Sequence, residues 1–190
     1  MPDDSRVISL LAAGDVREAA TEVIRGHGPA VLRYLRALLR DEGAASDAFS
    51  LFAEWTWEAI GRFQGESSLR TWALGIAWNA ARRVRNEAWQ KHRKRLNTSE
   101  ASKLAEQIRT SSPLEFERQA DRLQELRREL SPTEQNLLVL RLDQQLSWDE
   151  IATLFSTAGE PVSAAVLRKR FERLKERIGR LARKRGLVHR

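Results

Sequence analysis

The sequence predicts an all-α protein made of two small helical domains joined by a polar linker. Apolar residues recur at three- and four-residue steps along most of the chain, as amphipathic helices require, and no alternating strand pattern occurs. Between the two helical parts lies a polar stretch with a serine-serine-proline breaker. We therefore expect domains over residues 1–95 and 119–190, a linker over 96–118, and two halves that move independently.

Three helices are predicted in the first domain, over about 28–40, 45–61 and 68–95. Each carries apolar side chains at helical spacing, and the glycine-containing segment 61–65 reads as the turn before the third helix. We interpret Trp72 as a core residue, because it falls on the apolar stripe of that helix. Packing roles are also expected for the tryptophans Trp55, Trp57 and Trp78. The stripe of the third helix consists of Leu69, Trp72, Ile76, Ala80 and Val84.

The second domain has the pattern of a helix-turn-helix. Ser131 and Ser147 each begin a capping box, with a glutamate three residues later to complete it. A loop over 156–161 follows the second short helix, and a long basic helix starts near residue 163. In such motifs the first helix braces the second across the major groove. The loop here is longer than the usual tight turn.

Positive charge is concentrated in two separate stretches of the chain. The net charge is +7, which favours contact with nucleic acid or another anionic surface. Residues 82–95 hold seven lysines or arginines and one acid, and residues 161–190 hold eleven against two acids. One basic stretch in each half indicates two contacts with a polyanion, although either alone fits a solvated helix face.

Several classes of protein are disfavoured by what the sequence lacks. It has no cysteine, no apolar run near the roughly 20 residues that span a bilayer, and no signal-peptide pattern. His27, His92 and His189 are too far apart to suggest a metal site, and we interpret His27 and His92 as surface residues. We therefore expect a cytoplasmic protein that is not an enzyme, does not insert into a membrane and needs no metal or cofactor.

Two motifs together resemble the extracytoplasmic-function (group 4) sigma factors of the sigma-70 family. The stretch AASDAFSLFAEWTWEAIGRFQGESSLRTWALGIAWNAARRVR is similar to region 2 of that family. The stretch LSPTEQNLLVLRLDQQLSWDEIATLF, followed by VLRKRFERLKERI, is similar to region 4. The likeness covers about 15–95 and 119–185. It implies a region 2-like helical bundle, a region 4-like helix-turn-helix, and a role in transcription initiation.

The resemblance assigns binding of core RNA polymerase to the helix predicted over 45–61, which would dock on the coiled coil of the β′ subunit. Asp47 matches the family's acid on that face. The sequence departs from the family where Ser50-Leu51 stands in place of the usual Gln-Glu pair. The implied core-binding residues are Asp47, Ser50, Leu51 and Glu54.

The turn after that helix, together with the exposed end of the next one, is implied to bind and open the −10 element. Unstacking a base costs a few kcal/mol, and an aromatic or polar pocket offsets part of that cost. The implied −10 residues are Phe63, Gln64, Ser67, Ser68, Asn79, Arg82 and Arg83.

The basic helix of the second half is implied to bind the −35 element. Arginine at the start of such a helix can contact guanine edges or phosphates. Base contacts are assigned to Arg168, Lys169, Arg170 and Arg173, and phosphate contacts to Lys175 and Arg177. The partners implied are RNA polymerase core through its β′ and β subunits, promoter DNA, and an anti-sigma factor that covers both domains.

Two other functions fit parts of the sequence. A stand-alone helix-turn-helix regulator explains residues 131–185 equally well, but it leaves the F-x-G-x-x-S-x-R-T-W stretch and the basic stretch 82–95 unexplained. A sigma-like adaptor that binds proteins but no promoter is compatible with the Ser50-Leu51 departure.

Overall fold

The computed structural model describes residues 4–95 and 129–186, with the side chains of 88–95 left out. Every regular element in these two ranges is helical, so the all-α prediction is confirmed. Residues Ile60–Arg62 form a 3-10 turn, and residues Val139–Asp143 form a π-helical turn. The α-helices are α1 (Asp4–Ala12), α2 (Val16–Leu39), α3 (Glu42–Ala59), α4 (Leu69–Arg95), α5 (Pro132–Leu138), α6 (Trp148–Thr157) and α7 (Ala164–Lys184).

Helix α2 begins well before residue 28, where the sequence pattern placed its start. Asp15 caps it by accepting a hydrogen bond from the backbone N–H of Glu18, with an N–O distance of 3.3 Å. Gly28 and Pro29 lie inside the helix rather than at its start. A Cβ at Gly28 would lie 3.3 Å from the ring of Phe49, so glycine lets α3 approach closely. A local breaker pattern was therefore overridden by tertiary packing.

Helix α1 lies outside the elements predicted from the sequence. It packs on α2 and forms a small apolar cluster in which Val7 meets Ala20 and Val23. His27 is buried, which corrects its interpretation as a surface residue, and its Nε2 lies 3.0 Å from Asp4 Oδ1. This contact ties α1 to the middle of α2. None of the described helices is both long and apolar enough to cross a membrane.

Helix α4 is buried around almost its whole circumference over residues 69–84. The predicted stripe is buried except at the half-buried Trp72, but side chains on other faces, such as Leu74 and Ala77, are buried as well. A helix that is apolar all round must be covered on more than one side. Trp78 is buried at the centre of this helix, as predicted. Trp57 is 41% exposed beneath the guanidinium of Arg17, so its assignment as a packing residue is wrong.

The second half forms the predicted helix-turn-helix. Both capping boxes are complete, because Ser131 and Ser147 each exchange hydrogen bonds with the glutamate three residues on. Between them the chain makes the π-helical turn, and Gln145 adopts a positive φ of 55°. The apolar seam of α7 is buried at Leu167, Phe171 and Leu174.

One hydrophobic core includes both halves, which differs from the expectation that they move independently. The rings of Trp78 on α4 and Phe155 on α6 lie 6.5 Å apart between centroids. A Cβ at Gly75 would lie 3.7 Å from the Cβ of Thr157, so α6 rests directly on α4. The domain limits themselves stay a prediction, and the linker over 96–118 lies outside the described residues.

Buried hydrogen bonds join the two halves as well. The hydroxyl of Tyr34 on α2 donates to Oδ1 of Asn136 on α5 over 2.7 Å, and both side chains are buried. Burial raises the pKa of Tyr34 far above its ordinary value, so the phenol stays neutral. Arg85 on α4 donates to the carbonyl of Leu38 and to Oε1 of Gln135, each over 2.8 Å, while burial lowers its pKa. These contacts fix the register of α5 against the first bundle.

We predict that Tyr34 and Asn136 are energetically coupled although 102 residues separate them. Tyr34→Phe and Asn136→Ala should each lower the free energy of unfolding by about 1–3 kcal/mol, because each leaves a buried polar atom unsatisfied. The double variant should cost less than the sum of the two, by about 1 kcal/mol, measured by urea denaturation. Tyr34→Phe combined with a change at the exposed Asn86 is the additive control. Strict additivity for Tyr34 and Asn136 would show that the halves do not meet in solution.

Candidate functional site

The four residues assigned to core binding lie on one face of α3. Asp47, Ser50, Leu51 and Glu54 all line a single groove of about 870 Å³, with α4 as its other wall. Their spacing of three and four residues places them in one row along the helix. Asp47, Ser50 and Glu54 are exposed and Leu51 is half-buried, so the row offers acids beside an apolar strip. Such a surface suits a partner with basic and apolar side chains.

Three of the predicted −10 residues meet in a second cavity, of about 230 Å³. Phe63, Gln64 and Ser67 line it together with Trp72, and the rings of Phe63 and Trp72 lie 5.5 Å apart in an edge-to-face arrangement. The cavity combines an aromatic wall with polar groups. Ser68 does not line this cavity. It directly precedes α4 and accepts a hydrogen bond from the backbone N–H of Thr71 over 3.1 Å.

The remaining predicted −10 residues share one face near the middle of α4. Asn79, Arg82 and Arg83 follow each other at helical spacing, with Asn79 and Arg82 half-buried and Arg83 exposed. Arg83 donates through Nε to Oε1 of Glu87 over 2.9 Å. Arg82 forms an ion pair of 2.9 Å with Glu160, which belongs to the second half of the chain. Glu160 could not be predicted as the partner of Arg82 from sequence patterns, because the contact joins residues far apart in the chain.

Most of the predicted −35 residues are presented by the first turns of α7. Ser163 caps the helix by accepting from the backbone N–H of Val166 over 3.4 Å. Lys175 is exposed and pairs with Glu172, 2.8 Å away, one turn before it. The exposed cations in the first turns are Arg168, Lys169, Arg170 and Arg173.

Arg177 differs from the other predicted −35 residues, because its guanidinium is engaged within its own half. It donates to Oε1 of Glu134 over 2.8 Å and to the carbonyl of Glu129 over 2.7 Å. Burial alone would raise the pKa of Glu134, but hydrogen bonds from Ser131 and the charge of Arg177 lower it below the ordinary value. Arg177 thus fastens α7 to the capping box of α5.

A comparison with protein-family models found a match to sigma-70 region 2 over residues 23–95, which spans most of α2 and all of α3 and α4. Residues 23–95 are thus similar to region 2 of the sigma-70 family. The resemblance to region 2 inferred from the first sequence motif is thereby confirmed. Helix α1 precedes the matched residues, and α5–α7 form the part predicted to be region 4-like.

The solved structures include one with the same fold across both halves. It is the sigma factor RpoE from Bartonella quintana in complex with the anti-sigma factor NepR, at 17% identity and a TM-score of 0.50. The match covers 89% of this chain and 97% of that one. A search of curated proteins found no match. The comparison with RpoE supports the two-part helical fold.

We predict that Arg177 stabilises the fold whereas Arg168 does not. Arg177→Ala should cost about 1–2 kcal/mol, since it breaks a half-buried ion pair and a bond to a backbone carbonyl. For a chain of this length that lowers Tm by about 2–8 °C. Arg168→Ala, which removes an exposed cation from the same helix, is the matched control and should leave Tm unchanged.

The same pair predicts how the effect depends on pH. The folded-state pKa of Glu134 is lowered, so its contribution is present above the ordinary carboxyl pKa and is lost as pH falls through the folded value. The destabilisation by Arg177→Ala should therefore be full at pH 7 and shrink below about pH 4. Equal losses at both pH values would contradict the ion-pair assignment.

Proposed function

We propose that this chain is an alternative sigma factor of the extracytoplasmic-function type, in the sigma-70 family. It binds RNA polymerase core and directs transcription from promoters that it selects by their −10 and −35 elements. The observation that carries the proposal is the combination, in one chain, of a region 2 match with a second basic helix-turn-helix. Sigma-70 proteins as a family are transcription factors without catalytic activity, so no enzyme function is proposed.

The row on α3 is the proposed contact with the β′ coiled coil. Asp47 and Glu54 supply acids, and Leu51 supplies an apolar contact in the place where the family usually has a polar pair. We expect binding here to depend more on apolar packing than in relatives with Gln-Glu. In protein interfaces a few well-packed residues near the centre commonly account for most of the binding energy, as truncation to alanine shows.

The aromatic cavity and the basic face of α4 are the proposed site of −10 recognition. A base flipped out of the duplex can stack on Phe63, while Gln64 and Ser67 offer hydrogen bonds to its edge. Asn79, Arg82 and Arg83 would then contact the strand and its phosphates. The hydroxyl of Ser68 caps α4. We therefore assign Ser68 an indirect role, in which it holds the start of α4 beside the cavity.

The first turns of α7 are the proposed site of −35 recognition. Arg168, Lys169, Arg170 and Arg173 are exposed and free to reach base edges, with Lys175 placed for phosphates. Arg177 is less suited to a phosphate role because Glu134 already neutralises it. Phosphate contacts position the helix, and base contacts supply the specificity.

We also propose an anti-sigma factor as a regulatory partner and the cytoplasm as the site of action. The similar solved structure pairs a sigma factor with an anti-sigma factor, which supports such a partner for this fold. No metal or cofactor takes part in the proposed mechanism, because recognition rests on hydrogen bonds, stacking and charge alone.

We predict that tight promoter binding requires polymerase core. Each surface alone makes few phosphate contacts, so the isolated protein should bind DNA with a Kd of about 10⁻⁴–10⁻⁶ M and little sequence preference. Core fixes the spacing of the two surfaces, which should raise avidity by about 10²–10⁴. A gel shift and run-off transcription with and without core, on a promoter selected from genomic fragments, measure this. Tight specific binding that is indifferent to core would favour a stand-alone regulator, and core binding without new transcripts would favour an adaptor.

We predict a selective promoter defect for Arg168→Ala combined with Arg170→Ala. Binding to promoters with a −35 element should weaken by about 1–3 kcal/mol per lost base contact, while affinity for core is unchanged. Arg183→Ala combined with Lys184→Ala removes two exposed cations from the far end of α7 and is the control matched for net charge. Loss of core binding in the double variant would refute the −35 assignment.

A further inference from the structure

Glu172 is an acid in the middle of the basic helix α7. It is the only acid among residues 164–175, which also hold five lysines or arginines. An acid at this place repels the phosphates of DNA and opposes the charge attraction that supplies most of the non-specific affinity. Its presence therefore needs a reason, either in the stability of the fold or in the function of the helix.

Glu172 lies on the outer side of α7, away from the buried apolar seam of that helix. Its side chain keeps 63% of its exposure. Arg168 and Lys169 are four and three residues before it, so the three side chains are neighbours on the helix surface. The carboxylate is thus placed among the cations that are proposed to contact the −35 element.

The ion pair that Glu172 forms does not account for the acid through stability. Its Oε2 lies 2.8 Å from Nζ of Lys175, and both side chains are more than half exposed. Exposed pairs of this kind contribute little to the free energy of unfolding, because solvent screens them. A carboxylate has two acceptor oxygens, so a pair through Oε2 leaves Oε1 able to accept a hydrogen bond from DNA.

The position of Glu172 along α7 suits contact with base edges. In a helix-turn-helix, the first turns of the second helix enter the major groove. Glu172 lies about 12 Å along the helix axis from Ala164, at a rise of about 1.5 Å per residue. It falls between Lys169 and Arg173, and hence within the turns that are proposed to contact bases.

The four bases differ in what they offer to a carboxylate, which can only accept hydrogen bonds. In the major groove cytosine presents an amino donor at N4, whereas guanine and thymine present acceptors. Adenine presents a donor at N6 beside an acceptor at N7. A carboxylate therefore favours cytosine and is repelled by guanine and thymine. Repulsion of the wrong base contributes to specificity in the same way as attraction of the right one.

We propose that Glu172 is a specificity-determining residue of α7 that accepts a hydrogen bond from N4 of a cytosine in the −35 element. The inference rests on the proposed −35 role of α7 and deepens it by naming a base. The surrounding arginines and lysines supply affinity through phosphates and guanine edges. Glu172 weakens binding to every sequence, but it does so least where cytosine occupies the matching position.

Selection from a promoter with a randomised −35 element tests the proposal. The full chain is combined with polymerase core, the promoter is the one selected from genomic fragments, and the bound DNA is sequenced. The wild type should prefer cytosine at one −35 position by about five- to tenfold. Glu172→Ala should remove that preference at this position alone. Glu172→Gln should shift it to adenine, because an amide can accept from N6 and donate to N7 of that base.

Glu176→Ala is the matched control for charge. Glu176 is also an exposed acid of α7, one turn further from the start of the helix, and its removal changes the net charge equally. Both alanine variants should bind all sequences more tightly, because each removes a charge that repels phosphate. Only Glu172→Ala should change the base preferences.

The outcomes separate the proposal from the function on which it rests. Equal base preferences in the wild type, Glu172→Ala and Glu172→Gln would overturn the role of Glu172, and so would a wild type without any cytosine preference. The −35 role of α7 stands in both cases if Arg168→Ala combined with Arg170→Ala still weakens selection of the −35 element. No effect of that double variant on −35 selection would overturn both.

Discussion

The burial of α4 on all sides is the constraint on which the rest of the structure depends. A helix of the first bundle needs one apolar stripe, yet α4 also buries small side chains such as Ala77 and Ala81 on other faces. Small residues let neighbouring helices approach its backbone, as Gly75 shows where α6 crosses it. With α2 and α3 on one side and α6 on the other, α4 becomes the common core of both halves. Removing the second half would expose this surface to water.

The same helix carries part of the proposed DNA site, so its structural and functional roles compete. Trp78 stabilises the closed arrangement by packing on Phe155, one turn before Arg82, which the −10 strand would need. Hydrophobic burial favours closure, whereas the unpaired polar atoms of Arg85 and Asn136 disfavour it. In the proposed function polymerase core sets the spacing of the two halves, and it can separate them only if it binds the open state more tightly.

The elements could be predicted from the sequence more completely than their contacts. Capping boxes at Ser131 and Ser147 located two helix starts correctly, because caps depend on residues within one turn. The grouping of Asp47, Ser50, Leu51 and Glu54 on one face of α3 followed from helical spacing alone. By contrast, the structural role of Arg177 and the pairing of Arg82 with Glu160 depend on residues distant in the chain. The burial of α4 has a signal in the sequence, because many small residues on every face of a helix indicate that it is covered on several sides.

The distance between the two halves in the free protein tests the shared core most directly. Glu58 on α3 and Lys184 on α7 are exposed, and each can be replaced by cysteine and spin-labelled. The chain has no native cysteine that would react with the label. Double electron–electron resonance should give one narrow distance distribution for the free protein, because the halves pack as a single body. Adding polymerase core should shift it to longer distances. A broad distribution in the free protein that core leaves unchanged would contradict a closed state built on α4.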